Sequence, residues 1–348
     1  MYLTTIKAGP LCALMLVVLF AASANSRHYT NDKEATVKDG PAVEDDYINL
    51  VVKEDQSKVD VYFGGELFTS YLYSGSYKKP VLYPLNTVNG TAVTRGYPLA
   101  PRAGEQEDHP HQFGLWLNYG DVNGLDFWNN SDARPAENRS QYGTIYHKAI
   151  DHIHSGDDQG ELSVTMEWQG PEGEVLLEEN TTFIFRETEY TRSVDRKTTL
   201  HAVNQEVSLK DNKEGMIGIR MARELEHPDQ NGDATGMYKS SEGLSGNDVW
   251  GTRAKWMNLS GRINDENVSV AILDHPDNVG YPTYWHARGY GLFAANPLGM
   301  KEMSGGKEEL NYGLQTGESI TFNYRIIIYS GEKVLDEQLE EDWIEFAR

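Results

Sequence analysis

Histidine, arginine and tyrosine residues gather in three segments of this chain, in spacings suited to moving protons beside a bound anion. The densest segment, residues 95–128, reads RGYPLAPRAGEQEDHPHQFGLWLNYGDVNGLDFW. Pro110 separates His109 from His111. Proline fixes its own backbone and disfavours the helical region for the residue before it, so His109 is expected to be extended. Imidazole is the side chain best suited to proton transfer near neutral pH. Two histidines around a proline in a polar loop have little packing reason to be there. Asp121-Val122-Asn123-Gly124 reads as a tight turn whose side chains bond their own backbone, with Asn123 also a candidate for contacting substrate. Trp116 and Trp128 fit either a sugar-stacking wall or the core.

The second segment, residues 217–227, is IGIRMARELEH. Arg220 and Arg223 are an odd number apart, so a continuous strand would send them to opposite faces. A buried arginine needs an anion or a ring of acceptors. Arg223 can pair with Glu224 or Glu226, or grip a substrate carboxylate or sulfate through two parallel hydrogen bonds. In the third segment, residues 274–299, Tyr284, His286 and Arg288 are spaced by two. On an extended chain they share a face. Together they could supply an acid, a base and an anion clamp.

No HExxH motif and no Cys/His cluster is present, so no metal is expected. A divalent metal stays open as the option in which His109, His111 and His286 converge with a carboxylate.

These segments need a scaffold, and the rest of the chain reads as β-strands. Runs rich in β-branched and aromatic residues, bounded by Gly, Asn, Asp or Pro, fall at 59–63, 67–73, 144–150, 161–168, 175–185, 190–201, 217–221, 253–259, 268–273 and 319–330. Gly64-Gly65 between the first two is a hairpin signal. The regular short spacing predicts a mostly β protein, an antiparallel β-sandwich. One helix is predicted at 333–347, where Leu335, Leu339, Trp343 and Phe346 would form an apolar face over a sheet. No GxGxxG motif follows a strand and no P-loop appears, which argues against a nucleotide-binding fold.

Residues 1–24 read as a secretory signal peptide, with Lys7, an apolar run from Leu11 to Ala22 and a small-residue site ending at Ala24. Residues 25–46 read as a flexible polar lead-in, and 47–348 as a single catalytic domain of the sandwich type. Cys12, the single cysteine, would leave with the signal and cannot serve as a lipid-anchor site. A disulfide-free exported chain suggests a bacterial periplasm or cell exterior, without a membrane anchor. The formal net charge of −22 argues against nucleic-acid binding. An anionic substrate would need a local basic pocket to overcome that field. The oligomeric state is not written in the sequence.

The stretches KPVLYPL, TRGYPLAPRAGEQEDHPHQFGLWLNYGDVNGLDFW, SEGLSGNDVWGTRAKW and VAILDHPDNVGYPTYWHARGYGLFAANPLG resemble the PmoA-like family, over roughly residues 55–330. Where many members carry DHPHHRG, this chain has Gln112 and Phe113 in DHPHQFG. The family's methane oxygenase label does not suit a chain without apparent spanning helices. The resemblance extends to an oligosaccharide dehydratase that acts on uronic acids at the non-reducing ends of ulvan fragments. It thus implies a lyase of polysaccharide degradation that eliminates water from a terminal glucuronate or iduronate to give a 4,5-unsaturated uronate.

On that reading His111 or His286 is the base and Tyr284 the acid, or the reverse. Arg223 and Arg288 grip the carboxylate, His109 orients or shares the proton transfer, and Trp116 or Trp128 stacks the next sugar. Two competing readings are a non-catalytic glycan-binding protein and a metal-dependent sugar hydrolase or oxidoreductase.

Overall fold

The computed structural model describes residues 47–331 and 333–348. The expected signal peptide and polar lead-in lie outside the described residues. The architecture is the expected one: two eight-stranded antiparallel sheets and a C-terminal helix.

The first sheet runs in the spatial order Ile48–Lys53, Lys58–Phe63, Glu66–Leu72, Val81–Leu82, Leu115–Leu117, Ile217–Arg220, Leu292–Asn296 and Tyr284–Arg288. The second runs Met237–Ser240, Trp256–Ile263, Glu266–Asp274, Ser319–Ser330, Thr191–His201, Val175–Glu187, Gly160–Gln169 and Thr144–His154. The Gly64-Gly65 hairpin is present, both glycines having positive φ. Strict alternation builds the second sheet: Leu162, Val164, Met166 and Trp168 are buried, while the residues between them are half-exposed. The expected strand at 253–259 begins later, at Trp256, because Arg253 and Ala254 make loop contacts instead.

The helix is Asp336–Phe346. Leu339 is buried, and Trp343 and Phe346 are partly buried, against Trp256, Leu273, Ile327 and Tyr329 on the outside of the second sheet. Leu335 is 63% exposed, so it does not belong to the apolar face predicted for it. Its place at the N-cap, before the first helical turn, is the reason. Among the described residues no helix is long and apolar enough to cross a membrane.

What positions the site is the two-faced character of the first sheet. Leu115, Leu117, Ile217, Ile219, Phe293, Ala295, Trp285 and Ala287 join the main core. Their register neighbours Trp116, Gly218, Ala294 and His286 lie in one row on the other face. Arg220, Leu292 and Arg288 form the next row. The loop from Arg95 to Gly114, which leads into the strand Leu115–Leu117, lies over this outer face, and Trp116 and Trp128 pack together there with Val81, Phe113, Leu292 and Ala294.

Candidate active site

The covering loop is tied down by two buried arginines. Arg95 donates from Nη1 to the Gln106 carbonyl (3.0 Å) and Asp108 Oδ1 (2.6 Å), and from Nη2 to the carbonyls of His109 (3.1 Å) and Gln112 (2.9 Å). Arg220 rises from its strand to donate to Gln112 Oε1 (2.6 Å) and the same Asp108 Oδ1 (2.8 Å). A buried arginine needs such acceptors, and here the loop supplies them. Burial pulls both arginines below their ordinary value, Arg95 to about 10. Burial also pushes Asp108 up, but the hydrogen bond from His109 and the charges of Arg220 and Arg95 prevail, holding its carboxyl well below the usual range.

The second oxygen of Asp108 accepts a hydrogen bond from His109 Nδ1 at 2.6 Å. That bond places the free proton-transfer position of His109 at Nε2. The ring stacks on Tyr290, centroids 5.4 Å apart and planes within 5°. The guanidinium of Arg220 lies over the other partner of that stack, 4.7 Å from the Tyr290 centroid. His109 has φ of +42°, in the left-handed region, so the extended backbone expected before Pro110 is corrected. The bonds from Arg95 to the His109 and Gln112 carbonyls hold a conformation that local preference disfavours.

His111 is buried beside it, ring centroids 5.7 Å apart. The buried Lys79 donates to the His111 carbonyl (2.6 Å) and sits over the Phe113 and Trp116 rings. Burial first, then the charges of Lys79, His109, Arg134 and Arg220, push the His111 imidazole down to about 2. His111 is therefore neutral, and its Nε2 has no hydrogen-bond partner among the described residues.

His286 completes the set from the edge strand. Its Nδ1 donates to the Lys213 carbonyl at 2.8 Å, which fixes the tautomer and leaves Nε2 with a lone pair. Burial pushes it down to about 4; the bond to Lys213 works against that, and the charges of Arg288 and Lys213 add to it. Two residues on, Arg288 lies over the Trp250 ring at 4.5 Å and has no carboxylate ion-pair partner among the described residues.

His109, His111, His286 and Arg288 all line one cavity of about 420 Å³, with Lys213, Glu214 and Tyr290. Four of the nine site residues expected from sequence thus converge. Among the described residues Glu214 is the single carboxylate lining that cavity, and no three His, Cys, Asp or Glu side chains form a metal-ligand set.

The other five lie elsewhere, each for a physical reason. Tyr284 shares the strand face with His286 but is buried at its far end, under the Arg253 guanidinium at 4.7 Å. Burial raises its phenol above the ordinary value, which suits it poorly as an acid. Arg223 lies past the end of its strand, in a short 3-10 turn, where it bonds Asn231 Oδ1 at 3.0 Å and approaches Asp233 at 3.5 Å. The premise of one continuous strand through both arginines fails, because the strand stops at Arg220. Trp116 and Trp128 are both 0% exposed, so neither can stack a sugar. Asn123 sits in the expected turn, which Asp121 Oδ1 closes by accepting from the Gly124 amide (3.0 Å), and its side chain ties the turn to a neighbouring segment, accepting from the Ser208 amide (2.7 Å) and donating to the Glu206 carbonyl (3.2 Å).

The sequence assigns no site role to Asp108, Arg95 or Lys213, and marks Arg220 only as an arginine that would need acceptors if buried. Asp108 had a signal, being an acid directly before His109. Arg95 lies 13 residues before it in the same segment, whereas Arg220 is 112 positions away and only the sheet brings it there.

The family model that matches the sequence covers residues 58–344 and is described as a family of unknown function, DUF6807. This match corrects the PmoA-like identity expected from the motifs. No curated protein matches the chain. Among solved structures, it is similar to the galactosidase domain of an alpha-galactosidase-sucrose kinase, at 9% identity and TM-score 0.40, covering 81% of this chain and 42% of that one. It is also similar to a Glycoside Hydrolase Family 97 enzyme variant from Pseudoalteromonas sp. strain K8, at 12% identity and TM-score 0.33, covering 83% and 35%. A polysaccharide lyase is matched at 11% identity and TM-score 0.26, covering 86% and 34%. The chain spans less than half the length of each. All three carry the names of enzymes that act on carbohydrates, but at these TM-scores the likeness carries no argument about this site.

Proposed function

The chain belongs to the family of unknown function DUF6807, and from the chemistry of its histidine-lined cavity we propose that it is a lyase acting on an anionic saccharide. The reaction is β-elimination of water from a terminal uronic acid, glucuronate or iduronate, as at the ends of ulvan fragments. One observation carries this reading: His286, with Nδ1–H committed to Lys213 and Nε2 bare, shares a cavity with the Asp108–His109 pair and with Arg288.

The proton at C5 of a uronate is acidified by the adjacent carboxylate, and more so when a cation neutralises that carboxylate. Arg288 provides the cation, with Lys213 beside it in an ion pair with Glu214 at 3.1 Å. His286 Nε2 removes the proton from C5. The electron pair forms the C4–C5 double bond, and the C4 hydroxyl leaves. His109 Nε2–H protonates the leaving oxygen, so one water departs, with Asp108 as counter-charge to the imidazolium. The proton now on His286 returns to solvent, and His109 is reprotonated from solvent. His111, neutral and lacking a partner at Nε2, is available to a sugar hydroxyl. Tyr290 holds His109 in plane. Hydrolysis by paired carboxylates fits less well, because it needs two such groups across the bond and only Glu214 lines the cavity.

Export to a bacterial periplasm or exterior, and independence from added metal, belong to the same proposal. The test is to incubate the purified protein with saturated uronate-ended oligosaccharides. Ultraviolet absorbance of a conjugated double bond and the mass of the product are then followed. Loss of one water with chain length unchanged is the expected result. Absorbance with a shortened chain would mean a chain-cleaving lyase, and no reaction over a verified panel would remove the proposal.

A further inference from the structure

A second cavity, of about 340 Å³, adjoins the first and shares His109, His111 and Asn129 with it. Its remaining wall includes Ser131 and Arg134. The histidines therefore stand at the junction of two lobes rather than at the bottom of a single pit. Each lobe is of small-ligand size.

Each lobe has one arginine of the same unusual kind. Arg288 in the first lies over Trp250 at 4.5 Å, and Arg134 in the second lies over Tyr142 at 5.4 Å. Arg134 donates from Nε to the Asn129 carbonyl at 2.8 Å, which fixes the plane of the guanidinium. Neither has a carboxylate ion-pair partner among the described residues, in a chain of net charge −22 with 53 acidic residues. Each lines its lobe without such a partner, so each is placed to receive an anion that enters it. With Nε of Arg134 committed to Asn129, its Nη edge is left to receive an oxyanion through two hydrogen bonds. Arg134 is also close enough for its charge to act on His111 at the lobe junction.

We propose that the second lobe is a subsite for the sugar next to the reacting uronate, and that Arg134 binds an oxyanion substituent, sulfate or carboxylate, on that sugar. Asn129 serves the same sugar: its amide N–H is given to Asp126 Oδ2 (2.9 Å), leaving its side-chain oxygen to accept from a sugar hydroxyl. This inference rests on the elimination reading for the identity of the first sugar. It assigns the substrate as an oligosaccharide with anionic groups on consecutive residues.

The test uses three disaccharides with a terminal glucuronate whose second sugar bears a sulfate, a carboxylate or neither. Elimination is followed as kcat/KM, and binding by calorimetry with the His286→Ala protein. The better anionic disaccharide should be preferred over the neutral one by ten-fold or more, by the wild type in kcat/KM and by His286→Ala in Kd. Arg134→Gln should reduce that ratio to less than three, and Arg134→Lys should retain part of it. Preference for the sulfate or the carboxylate form identifies the source of the oxyanion. A wild-type ratio near one, or a ratio unaltered in Arg134→Gln, overturns the subsite even if elimination is seen. Loss of the binding preference in Arg134→Gln, with no elimination by any protein, supports the subsite and removes the elimination reading instead.

Discussion

Asp108 Oδ2 lies 2.6 Å from His109 Nδ1, while Asp108 Oδ1 accepts from Arg95 and Arg220 at 2.6 and 2.8 Å. One carboxylate thus joins the buried cations of the scaffold to the most exposed histidine of the cavity. It fixes the ring that the proposed mechanism needs and is, among the described residues, the one acidic acceptor shared by two buried guanidiniums.

Asp108→Asn should therefore damage both function and stability. Losing the charge beside His109 is expected to lower kcat by a hundred-fold or more, in the range of general acid–base catalysis. Leaving Arg95 and Arg220 short of a counter-charge should cost about 3 kcal/mol in a urea titration. A variant with wild-type activity would remove His109 as the acid. Because the native Asp108 is held below the usual carboxylate range, its stabilising contribution is present above about pH 4 and lost on further acidification.

The pH dependence of catalysis should show a base that works in its neutral form well into acid. With His286 held down to about 4, the acid limb of kcat/KM should fall far below the ordinary imidazole value of about 6.5. His286→Ala should abolish elimination in a protein that still folds, with a melting temperature lowered by the loss of a buried side chain and its bond to Lys213. An acid limb at about 6.5 would exclude His286 as the base.

The same two buried histidines make a stability prediction with a definite sign. Unfolded imidazoles bind protons below about pH 6.5, whereas folded His286 and His111 resist them down to about 4 and about 2. Their contribution is complete above about pH 6.5. Between about pH 6 and 4 each should remove about 1.4 kcal/mol of stability per pH unit. Replacing His111 by Gln should flatten that slope in denaturant titrations across the pH range.

Gly218 lies opposite Trp116 in the sheet, and a Cβ there would come within 2.7 Å of Trp116 Cζ2 and 3.1 Å of Trp128 Cη2. Gly218→Ala should cost about 1–3 kcal/mol by overpacking rigid indoles. Trp116→Ala should cost about 3–5 kcal/mol. Saccharide affinity per folded molecule should change far less than for Arg288→Gln, since neither indole reaches the cavity. An equal loss of affinity in a folded Trp116 variant would return the indole to the binding site.

Elimination is proposed to use only the chain's own imidazoles and guanidiniums, so activity should survive exhaustive dialysis against a chelator. Loss of activity that one divalent metal restores would favour the metal-dependent hydrolase or oxidoreductase reading instead.

The sequence alone determined the strands, because alternating burial is a local pattern of period two that side chains record directly. It also pointed to residues that come together: His109, His111, His286 and Arg288 stand out by residue type and spacing, and they meet at one cavity. Only the tertiary structure decided which neighbours join them. Arg223 and Tyr284 were excluded by where one strand stops and how far along another the cavity extends. Trp116 and Trp128 were taken into the interior because a loop covers the outer face of the first sheet. Arg95, Arg220 and Asp108 are brought together across more than a hundred residues of chain, Arg220 to Asp108 being separated by 112 positions. A contact of that range leaves no periodicity in the sequence. It arises when the strands pair and the buried charges find their partners.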